Sequence, residues 1–248
     1  MAVLVTRPAP DNQRTAAALL ARGYRALLSP MLRFEALAFQ DDGLAYDGII
    51  LTSANAVRAL VHHPAMERLV DLPTFTVGEQ TAEAARRAGF RNVISAKGDA
   101  EALNELIVET AVAGKIKKNG AALCYFAGAD RARDLSGDLS AHGFVVTTHT
   151  VYRMAAVEDL SPEVSSAFAS GGIDAVLHYS RRTARAFVDA ARIDGVEISA
   201  LALPQCCISD AVAAVLREAG AAQVIVARTP DEDAVIETLN RTIQPSLR

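Results

Sequence analysis

The feature that most limits what this chain can fold into is that one stretch of it occurs twice. The first copy opens Asp47-Gly-Ile-Ile-Leu-Thr52-Ser53-Ala-Asn-Ala-Val-Arg-Ala-Leu60, continues as Pro73-Thr-Phe-Thr-Val-Gly78-Glu-Gln-Thr81-Ala, and closes with Ala-Gly89. The second opens Asp174-Ala-Val-Leu-His178-Tyr179-Ser180-Arg-Arg-Thr-Ala-Arg-Ala-Phe187, continues as Pro204-Gln-Cys-Cys-Ile-Ser209-Asp-Ala-Val212-Ala, and closes with Ala-Gly220. The openings lie 127 residues apart and the Pro and Gly landmarks 131 apart, so one repeated unit with a small insertion accounts for both offsets. Each copy reads as strand, small polar turn, helix, strand, turn, helix. Asn92–Ser95 and Gln223–Val226 each add a third strand. Asp99 and Thr229-Pro230-Asp231-Glu232 supply the helix starts behind them, the latter as a capping box with Pro at the first helical position. The unit therefore runs over about 47–110 and 174–242.

The segments between the copies also match. Ala2-Val-Leu-Val-Thr6 is a buried-type strand stopped by Arg7-Pro8; Asp11 is placed as an N-cap, and the helix behind it runs to Gly23 before the strand Tyr24–Leu28. Ala121–Phe126, then Leu135 and Leu139, then Gly143-Phe-Val-Val repeat that pattern. The chain is A-B-A′-B′, with A a strand-helix-strand and B the three-strand unit. Short apolar strands alternating with helices mean parallel, doubly wound sheets, here two five-stranded lobes with a cleft between them. Pairing A with B would give consecutive domains; pairing A with B′ would give one discontinuous lobe with the other inserted in it. Leu32–Gln40 and Tyr152–Leu160 would then be the crossing linkers.

Composition narrows the function. At 51% hydrophobic residues the 248-residue chain can build a large core without tryptophan, and 5% aromatic content argues against a base-stacking nucleic-acid binder. The net charge is −4, and the one basic run, Lys115-Ile-Lys-Lys118, reads as a solvated loop. Cys124, Cys206 and Cys207 lack metal-ligand spacing; adjacent Cys206 and Cys207 point to opposite strand faces and are expected as reduced core residues of a cytoplasmic protein. No apolar run approaches membrane length, and neither export nor membrane insertion is expected.

Catalytic motifs of the usual kinds are missing: there is no nucleophile elbow, metalloprotease helix or phosphate loop. Gly78 lacks the further glycines of a dinucleotide fingerprint, and consecutive His62-His63 cannot share a helix face. His178, near a strand end, is read as a packed or solvated residue before a cleft-lining one. What remains is a set of hydroxyls, backbone donors and arginines at the carboxyl ends of strands, where parallel sheets bind ligands: Arg7, Thr52, Ser53, Gly78, Thr81, Arg131, Arg133, Ser180, Arg181 and Ser209. Such a set suits a polyanion held by N–H groups, helix dipoles and guanidinium forks. The simpler account of any one Ser or Thr is an N-cap. Tyr152 is a proton donor in the suspected linker, or a cover for the domain junction.

These residues resemble the uroporphyrinogen-III synthase family. The resemblance rests on Val3-Leu-Val-Thr-Arg7-Pro8, Asp47 through Ser53 with Ala-Asn-Ala-Val-Arg behind it, Val77-Gly78-Glu-Gln-Thr81-Ala with Gly89, Leu135…Leu139…Gly143…Val151-Tyr152, and the strand ending at Ser180. It spans essentially the whole chain. It implies two flavodoxin-like lobes of the crossed kind joined by a two-stranded linker: lobe 1 from 1–33 plus 158–248, lobe 2 from 40–150, linkers at about 34–39 and 151–157. It implies a cyclising hydro-lyase that converts linear hydroxymethylbilane, with inversion of ring D, to uroporphyrinogen III. No cofactor or metal is implied. The partner is the linear tetrapyrrole alone, with no nucleic acid and no membrane, and the protein is expected to be a monomer. By position, Tyr152 matches the tyrosine proposed to assist hydroxyl departure; Ser53 and Thr81 match substrate-facing hydroxyls of the inserted lobe, and Ser180 one of the other lobe. Ser209 departs from the family's glycine and Val212 from its common threonine, while Arg131 and Arg133 compete for one arginine position. The alternatives are a bilobal small-molecule binding protein and a family member that has lost activity.

Overall fold

A computed structural model of the chain describes residues 1–131 and 133–243. The strands are β1 (Ala2–Val5), β2 (Arg25–Leu28), β3 (Leu32–Ala36), β4 (Gly48–Leu51), β5 (Pro73–Thr76), β6 (Asn92–Ser95), β7 (Ala122–Gly128), β8 (Val145–Ala156), β9 (Ala175–His178), β10 (Pro204–Cys207) and β11 (Gln223–Val226). The helices are α1 (Asp11–Leu20), α2 (Ala54–Leu60), α3 (Met66–Leu69), α4 (Glu79–Arg87), α5 (Ala100–Val112), α6 (Leu135–Ala141), α7 (Pro162–Ala169), α8 (Arg181–Ile193), α9 (Glu197–Ala202), α10 (Asp210–Glu218) and α11 (Glu232–Thr242). The chain divides into two compact units, Met1–Arg33 with the described part of Ala155–Arg248, and Phe34–Met154.

The first unit holds a five-stranded sheet in the order β11-β10-β9-β1-β2, its neighbours paired in parallel. The second holds the order β3-β8-β7-β4-β5-β6, parallel from β8 through β6. The first strand-helix-strand segment thus joins the second copy of the long unit, and the second such segment joins the first copy. Each sheet then carries the same spatial series of strands, the doubly wound order of flavodoxin-type folds, reached in the second unit from a permuted start. β3 lies along β8 at the edge of the second sheet, and the division between the units falls inside these two strands.

Each sheet is covered on both faces, which explains the unbroken apolar strands. In the second unit Ile49 and Leu51 pack with Val57, Leu60 and Ala85 of α2 and α4, whereas Ile50 packs with Leu103, Ile107, Leu135 and Leu139 of α5 and α6. In the first unit Cys206 belongs to the layer of α1 and α11 and Cys207 to that of α7, α8 and α10. All three cysteines are buried and unpaired, and burial pushes their thiols up to about 12.

Three local expectations shift. Asp11 opens α1 as its first residue, behind an N-cap at Pro10 that offers no side-chain acceptor; its carboxylate is instead paired with Arg7 and Arg14. The last helix is capped by Asp231, whose carboxylate accepts the Ala234 N–H at 2.8 Å, so Thr229 and Pro230 lie outside it. Asp is at least as good an N-cap as Thr, and it holds the position nearer the apolar helix face. The segment after Gly143 does not end as a short strand: β8 continues for 12 residues, because its backbone is paired by β7 on one side and β3 on the other.

His178 is packed. It is fully buried at the end of β9, with Nε2 2.9 Å from Gln205 Oε1 and its ring edge-on to Phe187. Gln205 spends its own N–H groups on the carbonyls of Ala200 and Leu203, so its Oε1 must accept and His178 must carry the proton on Nε2. Nδ1 is left buried without a partner. Burial lowers the imidazole from 6.5 to about 4, the Gln205 bond opposing this only in part. The unfolded chain therefore takes up the proton first. Stability from this site is intact above about pH 6.5 and declines as pH falls toward 4, by up to on the order of 3 kcal/mol. Urea melts between pH 4 and 7 should show that slope in the native chain, and His178→Leu should flatten it while lowering the stability at neutral pH.

Candidate functional site

In a doubly wound sheet the crevice opens where neighbouring strands send their helices to opposite faces. In the second unit that point is between β7 and β4, since α6 follows β7 on one face and α2 follows β4 on the other. Thr52 and Ser53 follow β4, and Arg131 follows β7. Gly78 and Thr81 follow β5 on one flank, and Tyr152 lies in β8 on the other. Six of the expected residues thus share one sheet edge. In the first unit the corresponding point is between β1 and β9, where Arg7 and Ser180 sit, with Ser209 beyond β10.

Tyr152 is held by packing. Its half-buried ring stacks on Phe34 with centroids 5.9 Å apart and planes 24° off parallel. On the strand beside it, Gly128 is paired with Tyr152 across a bulge, and a β-carbon at Gly128 would lie 2.6 Å from Tyr152 Cζ and 2.8 Å from its oxygen. The tyrosine occupies the volume that any other residue at 128 would fill. Its hydroxyl has no hydrogen bond within the described residues, and it is therefore free to donate to a ligand.

Next along the edge, the Thr52 hydroxyl lies 3.1 Å from that of Tyr125 in β7. Burial raises the Tyr125 phenol; the Thr52 bond and the nearby Arg131 guanidinium work against this without reversing it, so the group stays protonated. Arg131 is exposed and has no ion-pair partner among the described residues. Arg133 is committed to Asp138 at 2.6 Å and Glu101 at 3.6 Å. That contrast leaves Arg131 as the arginine open to a ligand.

The hydroxyls fall into two groups. Ser53 Oγ accepts the Asn55 N–H and Ser180 Oγ the Thr183 N–H, both at 3.1 Å, so each is an N-cap in fact. Thr81 and Ser209 have no hydrogen bond to their hydroxyls within the described residues. Gly78 and Ser209 hold the same place in the two copies with the same extended backbone, φ −143° and −157°, and neither supplies a side-chain cap. A β-carbon at Gly78 would meet open space, which is why the second copy tolerates Ser and keeps its free helix N–H groups. Val212, in the place of Thr81, is buried in the first unit's core and removes that copy's hydroxyl. Arg7 is engaged inside its own unit: it lies 4.3 Å over the Tyr179 ring, 3.1 Å from Asp11 and 3.5 Å from Glu232, with Thr15 bridging to Glu232. Its charge is already met by two carboxylates.

A family model described as uroporphyrinogen-III synthase HemD (HEM4) matches residues 13–237. The chain belongs to the uroporphyrinogen-III synthase family. This is an enzyme family of the lyase class. Two solved structures of similar fold carry the same name. The uroporphyrinogen-III synthetase of Helicobacter pylori is 17% identical with a TM-score of 0.62, over 97% of this chain and 99% of that one. A mutant uroporphyrinogen III synthase of Thermus thermophilus is 16% identical with a TM-score of 0.50, over 98% and 99%. No curated protein matches the chain.

Two residues of this synthase-family chain, Tyr125 and Gly128, escape a reading of the sequence. Both lie inside an apolar strand, where a tyrosine reads as core and a glycine as a strand end. The signal for Gly128 is its spacing of 15 residues before Gly143, close to the 16 between Arg7 and Gly23 in the first strand-helix-strand segment, but only the pairing of β7 with β8 reveals what it accommodates. Gly128→Ala should fold with a melting temperature within a few degrees of the native chain and displace the Tyr152 ring. If the ring's position matters to the chemistry, turnover falls by at least about tenfold, the equivalent of about 1.4 kcal/mol in the barrier. Stopped assays beside circular dichroism separate this from misfolding.

Proposed function

We propose that the chain cyclises hydroxymethylbilane to uroporphyrinogen III with inversion of ring D. The observation that carries this is the family match over residues 13–237 of a chain whose second sheet edge bears a phenol with no hydrogen bond among the described residues, beside hydroxyl, amide and guanidinium donors. The substrate is a linear tetrapyrrole with carboxylates on every ring. Arg131, the Thr52–Tyr125 pair and the N–H groups that open α4 behind Gly78 are donors suited to such a polyanion, and α10 behind Ser209 offers the same in the other unit. Thr81 is buried at the start of α4, and its hydroxyl has no hydrogen bond among the described residues. Ser53 and Ser180 act through their helices, whose first N–H groups they orient. Arg7 supports the first unit's edge and serves the substrate indirectly.

In the reaction Tyr152 donates a proton to the terminal hydroxyl as the C–O bond breaks and water leaves. The pyrrole nitrogen supplies the electron pair that makes the azafulvene. The substituted carbon of ring D then attacks the azafulvene carbon. The spiro intermediate breaks the substituted carbon's bond to its original methylene bridge, and ring D recloses onto that bridge through its free α-carbon, whose proton is lost on re-aromatisation and restores the Tyr152 phenol. The bonds are made and broken by the substrate's own pyrroles, so the protein's task is orientation: it must hold the chain so that the uninverted closure is slower. The reaction so described uses no cofactor. We place it in the cytoplasm as a monomer acting on a small molecule; no helix among the described residues is long and apolar enough to cross a membrane, and the three cysteines are free.

Purified protein mixed with freshly generated hydroxymethylbilane, followed by oxidation and chromatography, should give mainly type III uroporphyrin. Type I alone, the product of spontaneous closure, would move the chain to the inactive members of its family. Tyr152→Phe should lower kcat by less than about a thousandfold, because general acid catalysis contributes only part of the barrier when the leaving group is expelled by an electron-rich pyrrole; a larger loss would make the phenol indispensable.

A further inference from the structure

We infer that Arg58 is a carboxylate anchor for this substrate, built into one stack with Tyr152; the inference rests on the proposed reaction. Arg58 lies in the last turn of α2, exposed, with its guanidinium carbon 4.3 Å from the centre of the Phe34 ring. Phe34 stacks in turn on Tyr152, and Tyr152 fills the space over Gly128. Cation, platform and phenol thus form a continuous ladder on β3, β8 and α2, all within the second unit. The same helix touches β8 at its first turn, where Asn55 Nδ2 is 3.6 Å from Met154 Sδ. Asn55 of α2 thus meets β8, the strand that carries the phenol.

The chemistry of the stack points outward. A guanidinium lying on an aromatic face has its π surface satisfied, while its N–H donors remain in plane, shaped for a carboxylate fork. Most other arginines of the chain meet a carboxylate of their own: Arg68 with Asp41, Arg86 with Glu79, Arg91 with Asp71, Arg153 with Glu35 and Arg192 with Glu197. Arg58 has no such partner among the described residues. A small favourable interaction with the end of α2 accounts for a basic residue in the last turn, but not for its place on Phe34, the ring that also stacks on Tyr152. With the leaving hydroxyl at Tyr152, the group that reaches Arg58 is a side-chain carboxylate of the same terminal pyrrole. Arg58 then sets which end of the linear molecule meets the phenol, and through Phe34 the two contacts are kept in fixed register.

The test is the kinetics of the full chain with hydroxymethylbilane, scoring KM, kcat and the proportion of type III product for the native protein, Arg58→Gln and Arg58→Lys. Arg58→Gln should raise KM about tenfold with kcat within about threefold, the size expected for losing a charge-assisted fork. Arg58→Lys should fall between it and the native protein, since a point charge replaces the fork. Raised ionic strength should increase KM of the native protein more than that of Arg58→Gln. An unchanged KM in Arg58→Gln, or a loss confined to kcat, overturns the anchor while the parent reaction stands, because the native protein still makes type III. Native protein that makes only type I overturns the parent reaction and the anchor with it, and that result is in hand before any variant is measured.

Discussion

The rest of the structure depends on the ladder between β1 and β9. Val3, Leu4 and Val5 are paired in parallel with Ala175, Val176 and Leu177, strands separated by most of the chain. A parallel pair cannot be closed by a hairpin; it requires a crossover, and here the crossover contains an entire second unit. Once β1 is committed to β9, β7 is left to pair with β4, which it does from Gly48↔Leu123 through Leu51↔Phe126. Both sheets then present the same strand series, and both have a crevice where the helices part. The matching carboxyl edges of the two sheets, the division of the chain into two units and the passage of that division through β3 and β8 all follow from which strand β1 pairs with.

Duplication has not produced two equal edges. In the first unit Arg7 is tied to Asp11, Glu232 and Tyr179, and Val212 fills core where Thr81 offers a hydroxyl. In the second, Tyr152 and Arg131 have no such ties among the described residues, and Thr52 is coupled to Tyr125. Two copies of one backbone have thus diverged in the partners of their polar groups, which in the first unit are ion pairs within the unit itself. The exchange of Gly78 for Ser209 is neutral by comparison, because both residues hold an extended backbone and leave the following N–H groups uncapped by side chains. What the second unit adds is fixed position: a glycine that makes room for a phenol, a phenylalanine that stacks on it, and an arginine on that phenylalanine.

Buried polar groups follow the same economy of partners. His178 is kept neutral by burial, its bond to Gln205 opposing this only in part, and the thiols of Cys206 and Cys207 are held protonated on opposite faces of β10. None of these groups lies open to a ligand. The open groups are those at the strand ends, which is why a site in such a fold is recognised by unmet donors rather than by perturbed titration.

The sequence alone determined the alternation of strands and helices, the duplication, the two-faced burial of Cys206 and Cys207 and the strand ends at which Thr52, Ser53, Gly78, Thr81, Ser180 and Ser209 fall, because these depend on local period, turn chemistry and spacing. It also carried the family resemblance, which rests on the order of short motifs. Helix starts were legible only to within two residues, since Asp231 and Thr229 are both competent caps and the choice is made by the packing of the helix face. Which copy the first strand joins was left open by the residue pattern and implied only by the family resemblance; tertiary structure decided that Ser53 and Ser180 use their hydroxyls for capping while Thr81 does not, that Arg133 is paired and Arg131, among the described residues, is not, and that Gly128 makes room for Tyr152. These are facts of proximity between residues distant in the chain, set by strand register and side-chain packing, on which residue type and local spacing have no purchase.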